Sequence, residues 1–174
     1  MRVRILLIGI AVAMLLVAAP AAAAAPGIER VPVVDIGDPP SRAGTSFMVR
    51  ADRGVVGVVV TGGLVRGHAY TVWAVVFNNP EACDADCDSA DLANPDVGGV
   101  SILATGKVVR APRAAFAIRL VAGDELVDPL GAEIYFVVRT HGPAPRGLVD
   151  EQTSSLNGGC PPNDCANVLV AKHQ

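Results

Sequence analysis

Hydrophobic and polar residues alternate along several short segments of the chain, with the period of two that is typical of half-buried β-strands. The clearest segment is residues 114–120, in which one face carries Phe116, Ile118 and Leu120. The other face of that segment carries Ala115, Ala117 and Arg119. Residues 132–141 divide in the same way into an apolar face and a mixed face, the latter formed by Glu133, Tyr135, Val137, Arg139 and His141. Both segments are therefore predicted to be strands with one face in the core.

Residues 68–77, HAYTVWAVVF, are apolar on both faces. This pattern predicts a central strand that is covered on both sides, with Trp73 as an anchor in the core. Pairs such as Gly62-Gly63 and Gly98-Gly99 mark turns between strands. The other predicted strands are short and lie at residues 31–36, 47–51, 54–61, 100–110 and 167–173.

No segment after the first 25 residues combines a helical period of 3.6 with capping residues. Seven or eight short strands separated by turns favour an all-β fold, namely an antiparallel immunoglobulin-like β-sandwich. We assign this domain to residues 46–174. Residues 26–45 are rich in proline and glycine and are expected to form an N-terminal arm or an edge strand.

The first 25 residues have the three parts of a secretory signal peptide. Arg2 and Arg4 form a positive start, residues 5–18 are continuously apolar, and residues 21–25 are alanines that offer cleavage sites. The apolar stretch is short for a membrane span, which needs about 20 residues. We therefore expect a cleaved signal peptide and a secreted, periplasmic or cell-envelope protein.

Removal of this leader changes the charge of the chain. All 17 acidic residues follow residue 25, whereas two of the 14 basic residues precede it, so the remaining chain carries a net charge of −5 with neutral histidines. Such a chain, without a basic stripe, is not attracted to phosphate backbones, and nucleic acid is not an expected partner. No later apolar stretch is long enough to span a bilayer, so we expect no integral membrane segment after cleavage.

The four cysteines are even in number, which indicates disulfide bonds in an exported chain. Their spacings favour the local pairs Cys83–Cys87 and Cys160–Cys165, although cross-pairing between the two groups is also compatible with the sequence. A local pair contributes about 2 kcal/mol or less on the chain-entropy model, whereas a cross-link over a long loop contributes about 4 to 5 kcal/mol. A zinc site of four thiolates is not expected in an oxidising compartment.

Residues 78–96 form an acidic stretch that contains six acids and no basic residue. Aspartates at alternate positions can supply oxygen ligands to calcium. The candidate ligands are Asp84, Asp86, Asp88 and Asp91, with Glu81 as a further donor. The EF-hand pattern is not followed, because Ser89 stands at its sixth position and Pro95 at its twelfth. The interpretation we favour is a solvated acidic loop closed by a disulfide bond.

The three histidines, His68, His141 and His173, each lie at or near the end of a predicted strand. Neither an H-x-H nor an H-E-x-x-H spacing joins them. We expect His141 to hydrogen-bond to the backbone of its loop and His173, next to the C-terminus, to be mobile. The sequence contains no nucleophile elbow, P-loop or dinucleotide motif, so no catalytic residue and no cofactor is assigned.

Two stretches resemble a group of exported bacterial proteins of unknown function. They are YTVWAVVFNNPEAC, residues 70–83, and RTHGPAPRGLVDEQTSSLNGGCPPNDC, residues 139–165. Ala74 departs from the pattern of that family, in which a second tryptophan commonly follows Trp73. More remotely, GLVRGHAYTVW and EIYFVVRTHGP are similar to chordin-type (CHRD) domains and to superoxide-dismutase-like sandwiches. That similarity implies a sandwich fold and no particular activity.

The sequence thus predicts a non-enzymatic binding or interaction module of the cell envelope or the extracellular space, with an extracellular or envelope protein or a glycan as its partner. The candidate surfaces are the acidic loop at residues 81–96 and the loop at residues 142–159, because long loops between rigid strands commonly carry binding sites. The alternative is a secreted protein that binds calcium or another metal, or, beyond that, a metalloenzyme.

Overall fold

Eight β-strands and a short helix make up the structure, a computed structural model that describes residues 27–37 and 39–174. The strands β1 to β8 are Ile28–Asp35, Arg42–Ala51, Gly54–Thr61, His68–Phe77, Gly99–Val108, Ala114–Val121, Glu133–Pro143 and Ala166–His173. The helix α1 is Val149–Ser154. The predicted signal peptide, residues 1–25, lies outside the described residues. Within the described residues, no helix has the length and apolar character needed to cross a membrane.

All strand pairs are antiparallel, so the predicted all-β antiparallel fold is confirmed. Hydrogen bonds join the eight described strands in one sheet, in the order β5-β4-β7-β8-β1-β2-β3-β6. An immunoglobulin-like sandwich would have two separately hydrogen-bonded sheets, whereas the described strands form one. The single sheet curves until its edge strands, β5 and β6, contact each other. Lys107 of β5 bridges these edges by donating to the carbonyl oxygen of Ala115 in β6.

The N-terminal segment is neither an arm nor an edge strand. β1 pairs with β2 along most of its length, and Val34 and Asp35 also pair with β8 on the other side. Pro32, which suggests an edge in the sequence, lies where β1 pairs with β2 alone. β1 is therefore an interior strand that joins the two halves of the sheet.

The inner face of the curved sheet encloses the main hydrophobic core. The predicted apolar face of β6 lies in it, since Phe116, Ile118 and Leu120 are all buried. Phe136 of β7 packs across the core against β3, where a Cβ on Gly57 would lie only 3.2 Å from its ring. The core therefore depends on a small residue in β3 opposite a large one in β7.

The outer face of β4 is covered as well, as the pattern of residues 68–77 predicts. A smaller apolar cluster lies there and includes Phe77, Cys87, Val97 and Tyr135. Trp73 is not the predicted core anchor, because it is half-buried and belongs to neither cluster. It lies on the outer face, where its indole nitrogen donates a hydrogen bond of 2.9 Å to the hydroxyl oxygen of Thr71.

Two loops, each closed by a disulfide bond, cover this outer face. The β4–β5 loop contains Cys83–Cys87, and the β7–β8 loop contains α1 and Cys160–Cys165. These are the local pairs that the spacing favours. α1 packs so closely on β5 that a Cβ on Gly106 would lie 2.1 Å from the carbonyl oxygen of Thr153. The sequence does not predict α1, because it has fewer than two turns and lacks a capping side chain.

Candidate functional site

A cavity of about 730 Å³, here called the end pocket, opens at one end of the sheet. At this end β1, β3 and β7 finish while β2, β4 and β8 begin, so residues from all of these segments converge. The volume lies within the range of about 300 to 1,000 Å³ that is usual for small-molecule sites. The end pocket is therefore large enough to hold a small organic ligand.

The floor of the end pocket is apolar and buried. Leu64, Tyr70 and Leu169 are each at most 5 % exposed and line it from the side of the main core. Val65 and Val168 extend this apolar lining. Removal of apolar surface from water is the main source of affinity in a site of this kind.

Polar side chains also line the end pocket. Some of them have hydrogen-bond partners within the protein, and others do not. The guanidinium of Arg42 donates within its own strand, and the hydroxyl of Tyr70 accepts from the backbone N–H of Val65 at 3.0 Å. The side chains of Ser41, His68 and Asp164 make no hydrogen bond to any other described residue. These three side chains are the groups left to pair with a polar end of a ligand.

No sequence pattern marks the end pocket, because its residues come from several separate segments. The available signal is indirect: Gly62-Gly63 follows β3, and Gly142-Pro143 forms the end of β7, so small or rigid residues lie at both strand ends. Only the order of the strands shows that these two strand ends meet at the same end of the sheet.

A second, narrower depression of about 260 Å³ runs over the outer face between the two loops. Trp73 lines it from β4, Leu92 from the β4–β5 loop, and Leu156 from the β7–β8 loop. The two candidate surfaces predicted from the sequence are thus brought together on one face. Because α1 packs on β4 and β5, part of the second surface is occupied by contacts within the protein.

The four candidate calcium ligands do not form a single cluster. In the acidic loop, three of them are exposed and one is half-buried: Asp84, Asp86 and Asp88 are exposed, and Asp91 is half-buried. The carboxylate of Asp88 accepts from the N–H of Ala90 at 2.6 Å, and that of Asp91 accepts from the N–H of Asp88 at 2.8 Å. Among the described residues, Asp91 belongs to a possible three-ligand group with Cys83 and Cys87, whose sulfur atoms are joined in a disulfide bond. Calcium binding by the loop stays a prediction.

Tyr135 attaches the acidic loop to β7. Its hydroxyl donates to the carbonyl oxygen of Cys87 at 2.8 Å and also lies within bonding reach of the Glu133 carboxylate. Burial, together with Glu133, raises the pKa of Tyr135, so its hydroxyl keeps its hydrogen. The position of the loop is therefore set by a buried side chain of the sheet as well as by its disulfide bond.

His141 is fully buried, and both of its ring nitrogens have partners. Nδ1 lies 3.0 Å from the carbonyl oxygen of Gly158, which confirms the prediction that His141 bonds to loop backbone, and Nε2 lies 2.9 Å from Oγ1 of Thr71. A carbonyl only accepts, so we assign the hydrogen to Nδ1 and let Nε2 accept from the Thr71 hydroxyl. Burial lowers the pKa of His141, and Arg139 lowers it further, so the ring is neutral near pH 7.

His173 is also fully buried, so the prediction that it is mobile is wrong. Its Nε2 lies 2.8 Å from Oγ of Ser46, and its Nδ1 lies 3.3 Å from the Glu29 carboxylate without hydrogen-bond geometry. Burial lowers the pKa of His173 more than Glu29 raises it, and Arg50 lowers it further. Arg50 in turn donates to Glu29 and to three backbone carbonyl oxygens, including that of His173. The C-terminal strand is thus held by a buried polar cluster.

The three histidines do not form a common site in the part of the chain that the structure describes. His68 lies in the end pocket, His141 under the β7–β8 loop, and His173 beside β1 and β2. The hydroxyls of Ser154 and Ser155 donate to carbonyl oxygens of α1. These serines cap the end of the helix, and His141 is not placed to activate them.

Comparison of the chain with models of protein families, with curated proteins and with solved structures finds no match. The resemblance to exported bacterial proteins and to CHRD-like sandwiches therefore stays a prediction, and the geometry of the sites carries the functional argument.

Proposed function

We propose that the protein is a non-enzymatic binding module of the cell envelope or the extracellular space, which holds a small, mainly apolar ligand in the end pocket. The supporting observation is the combination of a cavity of about 730 Å³, a buried apolar floor and three polar side chains without hydrogen-bond partners among the described residues. Such a combination of apolar lining and few polar groups is the usual composition of ligand sites.

The charges around the end pocket restrict the chemistry of the ligand. Asp35 and Asp164 contribute two carboxylates, whereas Arg42 contributes one guanidinium that already donates within its own strand. An anionic ligand would be repelled by this excess of negative charge. We therefore infer a ligand with an apolar body and a hydroxyl, amide or amine group, the polar group lying near His68 or Asp164.

The two disulfide bonds support a location in an oxidising compartment. The net negative charge supports the exclusion of nucleic acid as a partner. A partner protein or glycan would have the outer face as its docking surface, because the depression there lies between the two loops and is lined by Trp73.

Nile red, a neutral apolar dye, tests the end pocket directly. Val65 lines the pocket and is 51 % exposed, whereas Val56 is 57 % exposed on β3 and lies outside the pocket. In Val65→Trp the indole fills the cavity, so we expect the dissociation constant for the dye to rise about tenfold or more, the equivalent of about 1.4 kcal/mol. The matched control Val56→Trp should bind the dye as the natural protein does.

Fluorescence titration measures the affinity, and thermal melting shows that both variants are folded. Binding of the dye should also raise the melting temperature of the natural protein, because a ligand stabilises the folded state to which it binds. Equal weakening by both substitutions, or no saturable binding to the natural protein, would remove the end pocket as the ligand site.

A further inference from the structure

The two disulfide bonds of the protein lie in different surroundings. Cys87 is fully buried in the smaller apolar cluster, whereas Cys83, Cys160 and Cys165 are half-buried. A backbone carbonyl oxygen lies 3.8 Å from Sγ of Cys87, as another does from Sγ of Cys165. Apolar side chains therefore shield one cysteine of the first bond, whereas both cysteines of the second are partly open to attack by a thiol.

A hydrogen-bond donor points at the second disulfide bond. Nδ1 of His141 lies 3.3 Å from Sγ of Cys165 and carries the hydrogen that it also shares with the Gly158 carbonyl. Thr71 holds the ring in this tautomer from the other side, and Trp73 in turn donates to Thr71. The line Trp73–Thr71–His141 thus presents an N–H to one sulfur atom of the pair.

We propose that Cys160–Cys165 is a redox-active disulfide, reduced by dithiols of the thioredoxin or dithiothreitol class, with Cys165 as the leaving sulfur and His141 as the residue that positions and stabilises its thiolate. A thiolate accepts hydrogen bonds more strongly than a disulfide sulfur does, so the N–H of His141 favours the reduced state. Neither sulfur of Cys83–Cys87 has a comparable donor in the described residues.

The exchange proceeds in two displacements. One thiol of the dithiol first releases its proton to solvent, and the resulting thiolate attacks Sγ of Cys160; the S–S bond breaks, and its electron pair leaves with Cys165 as a thiolate. The second thiol of the reagent then loses its proton and displaces Cys160, which takes up a proton and becomes a thiol. The protein gains two electrons, the dithiol becomes a disulfide, and one proton is released to solvent for each bond reduced.

Two charged residues bear on this arrangement. Arg139 acts on His141, and its positive charge helps to keep that ring neutral. Asp164 precedes Cys165, and its negative charge opposes a thiolate there but is screened by water, because the side chain is exposed. The carbonyl oxygen of Gly158 lies 3.7 Å from Sγ of Cys160, where it can accept from the thiol formed there.

Redox titration of the folded protein tests this proposal with an internal control. The protein is equilibrated in mixtures of reduced and oxidised dithiothreitol, free thiols are trapped by alkylation, and each cysteine peptide is counted by mass spectrometry. We expect Cys160–Cys165 to be half-reduced at a reagent ratio about tenfold lower than Cys83–Cys87, equivalent to about 30 mV. Equal ratios, or earlier reduction of Cys83–Cys87, would overturn the proposal.

A second measurement is the thiol reactivity of the reduced protein. Its decisive result comes from the natural protein and so does not depend on the folding of a variant. The alkylation rate of each cysteine in the reduced protein is followed against pH, and we expect the midpoint for Cys165 to lie below the usual thiol value of about 8.5. In His141→Phe the midpoint should rise towards that value and the tenfold gap between the two bonds should shrink. A midpoint for Cys165 at or above about 8.5 in the natural protein would contradict the assigned role of His141.

Discussion

His141, His173 and Gln152 are polar side chains that are fully buried in this protein. The two histidines join segments that are distant in sequence, His141 to Thr71 and His173 to Ser46. The side-chain amide of Gln152 joins α1 to the end of β7, where it donates to the carbonyl oxygens of His141 and Pro143 at 3.0 and 2.9 Å. A buried polar group without a partner costs about 1 to 3 kcal/mol. The hydrogen bonds that these residues make therefore favour arrangements of the chain in which the partners are present, whereas Oε1 of Gln152 and Nδ1 of His173 have no hydrogen-bond partner among the described residues.

The two buried histidines should make the stability of the protein depend on pH. Burial lowers the pKa of both His141 and His173, so below about pH 6.5 the unfolded chain binds more protons than the folded protein. The free energy of unfolding should therefore have its full value above that pH, and it should become smaller as the pH is lowered below it. Urea denaturation at pH values of about 7.5 and 5.5 measures the fall.

Substitution of each histidine identifies the source of that fall. In His141→Gln and His173→Gln the difference between the two pH values should become smaller, because a titrating group has been removed. His68 is only half-buried, so His68→Gln is the matched control and should keep the full difference. An undiminished pH dependence in both buried variants would assign the effect to other groups.

At the scale of secondary-structure elements, the strands follow from periodicity, and the loops do not. β3 and β4 have the predicted bounds, because turn residues flank their apolar patterns: Gly62-Gly63 follows β3, Gly67 precedes β4, and Asn78-Asn79-Pro80 follows it. α1 has no such signal and is stabilised by packing on Gly106 of β5. Many loop residues are polar and hydrogen-bond to backbone groups within the same loop, as Asp88 and Asp91 do, so the sequence alone does not show which surfaces the loops form.

The acidic loop leads to a prediction about calcium. Two of its candidate ligands, Asp88 and Asp91, already accept hydrogen bonds from loop amides, and the four aspartates are not grouped around one point. A binding module without a metal requirement should therefore melt at the same temperature in EDTA and in millimolar calcium. A rise of several degrees that is abolished in Asp84→Asn/Asp86→Asn would instead establish a specific cation site and favour the metal-binding alternative.

At the scale of the whole molecule, β1 links the two halves of the sheet. Without it, hydrogen bonding would leave β5-β4-β7-β8 on one side and β2-β3-β6 on the other. β1 also supplies Val33 to the main core and Glu29 to the buried cluster around Arg50. The closed shape, and with it the end pocket, therefore depends on a segment that composition alone suggests is an arm.

Removal of β1 tests this dependence. A chain that begins at residue 39 should lose the cooperative thermal transition that a chain beginning at Gly27 shows, because loss of an interior strand exposes core surface and unpaired backbone groups. Circular dichroism follows both chains, and a synthetic peptide of residues 27–37 should restore the transition. A truncated chain that melts cooperatively within a few degrees of the longer one would show that β1 is dispensable.

The sequence by itself determines four properties of this protein: the all-β class, most strand positions, the inward face of β6 and the coverage of β4 on both faces. The reason is that alternation of apolar residues is a local signal, which each segment carries independently of its neighbours. The place of β1 in the sheet, the outward position of Trp73, the burial of His173 and the end pocket were decided by the tertiary structure. Each depends on which strands become neighbours, and that order is set by the packing of distant segments around one core.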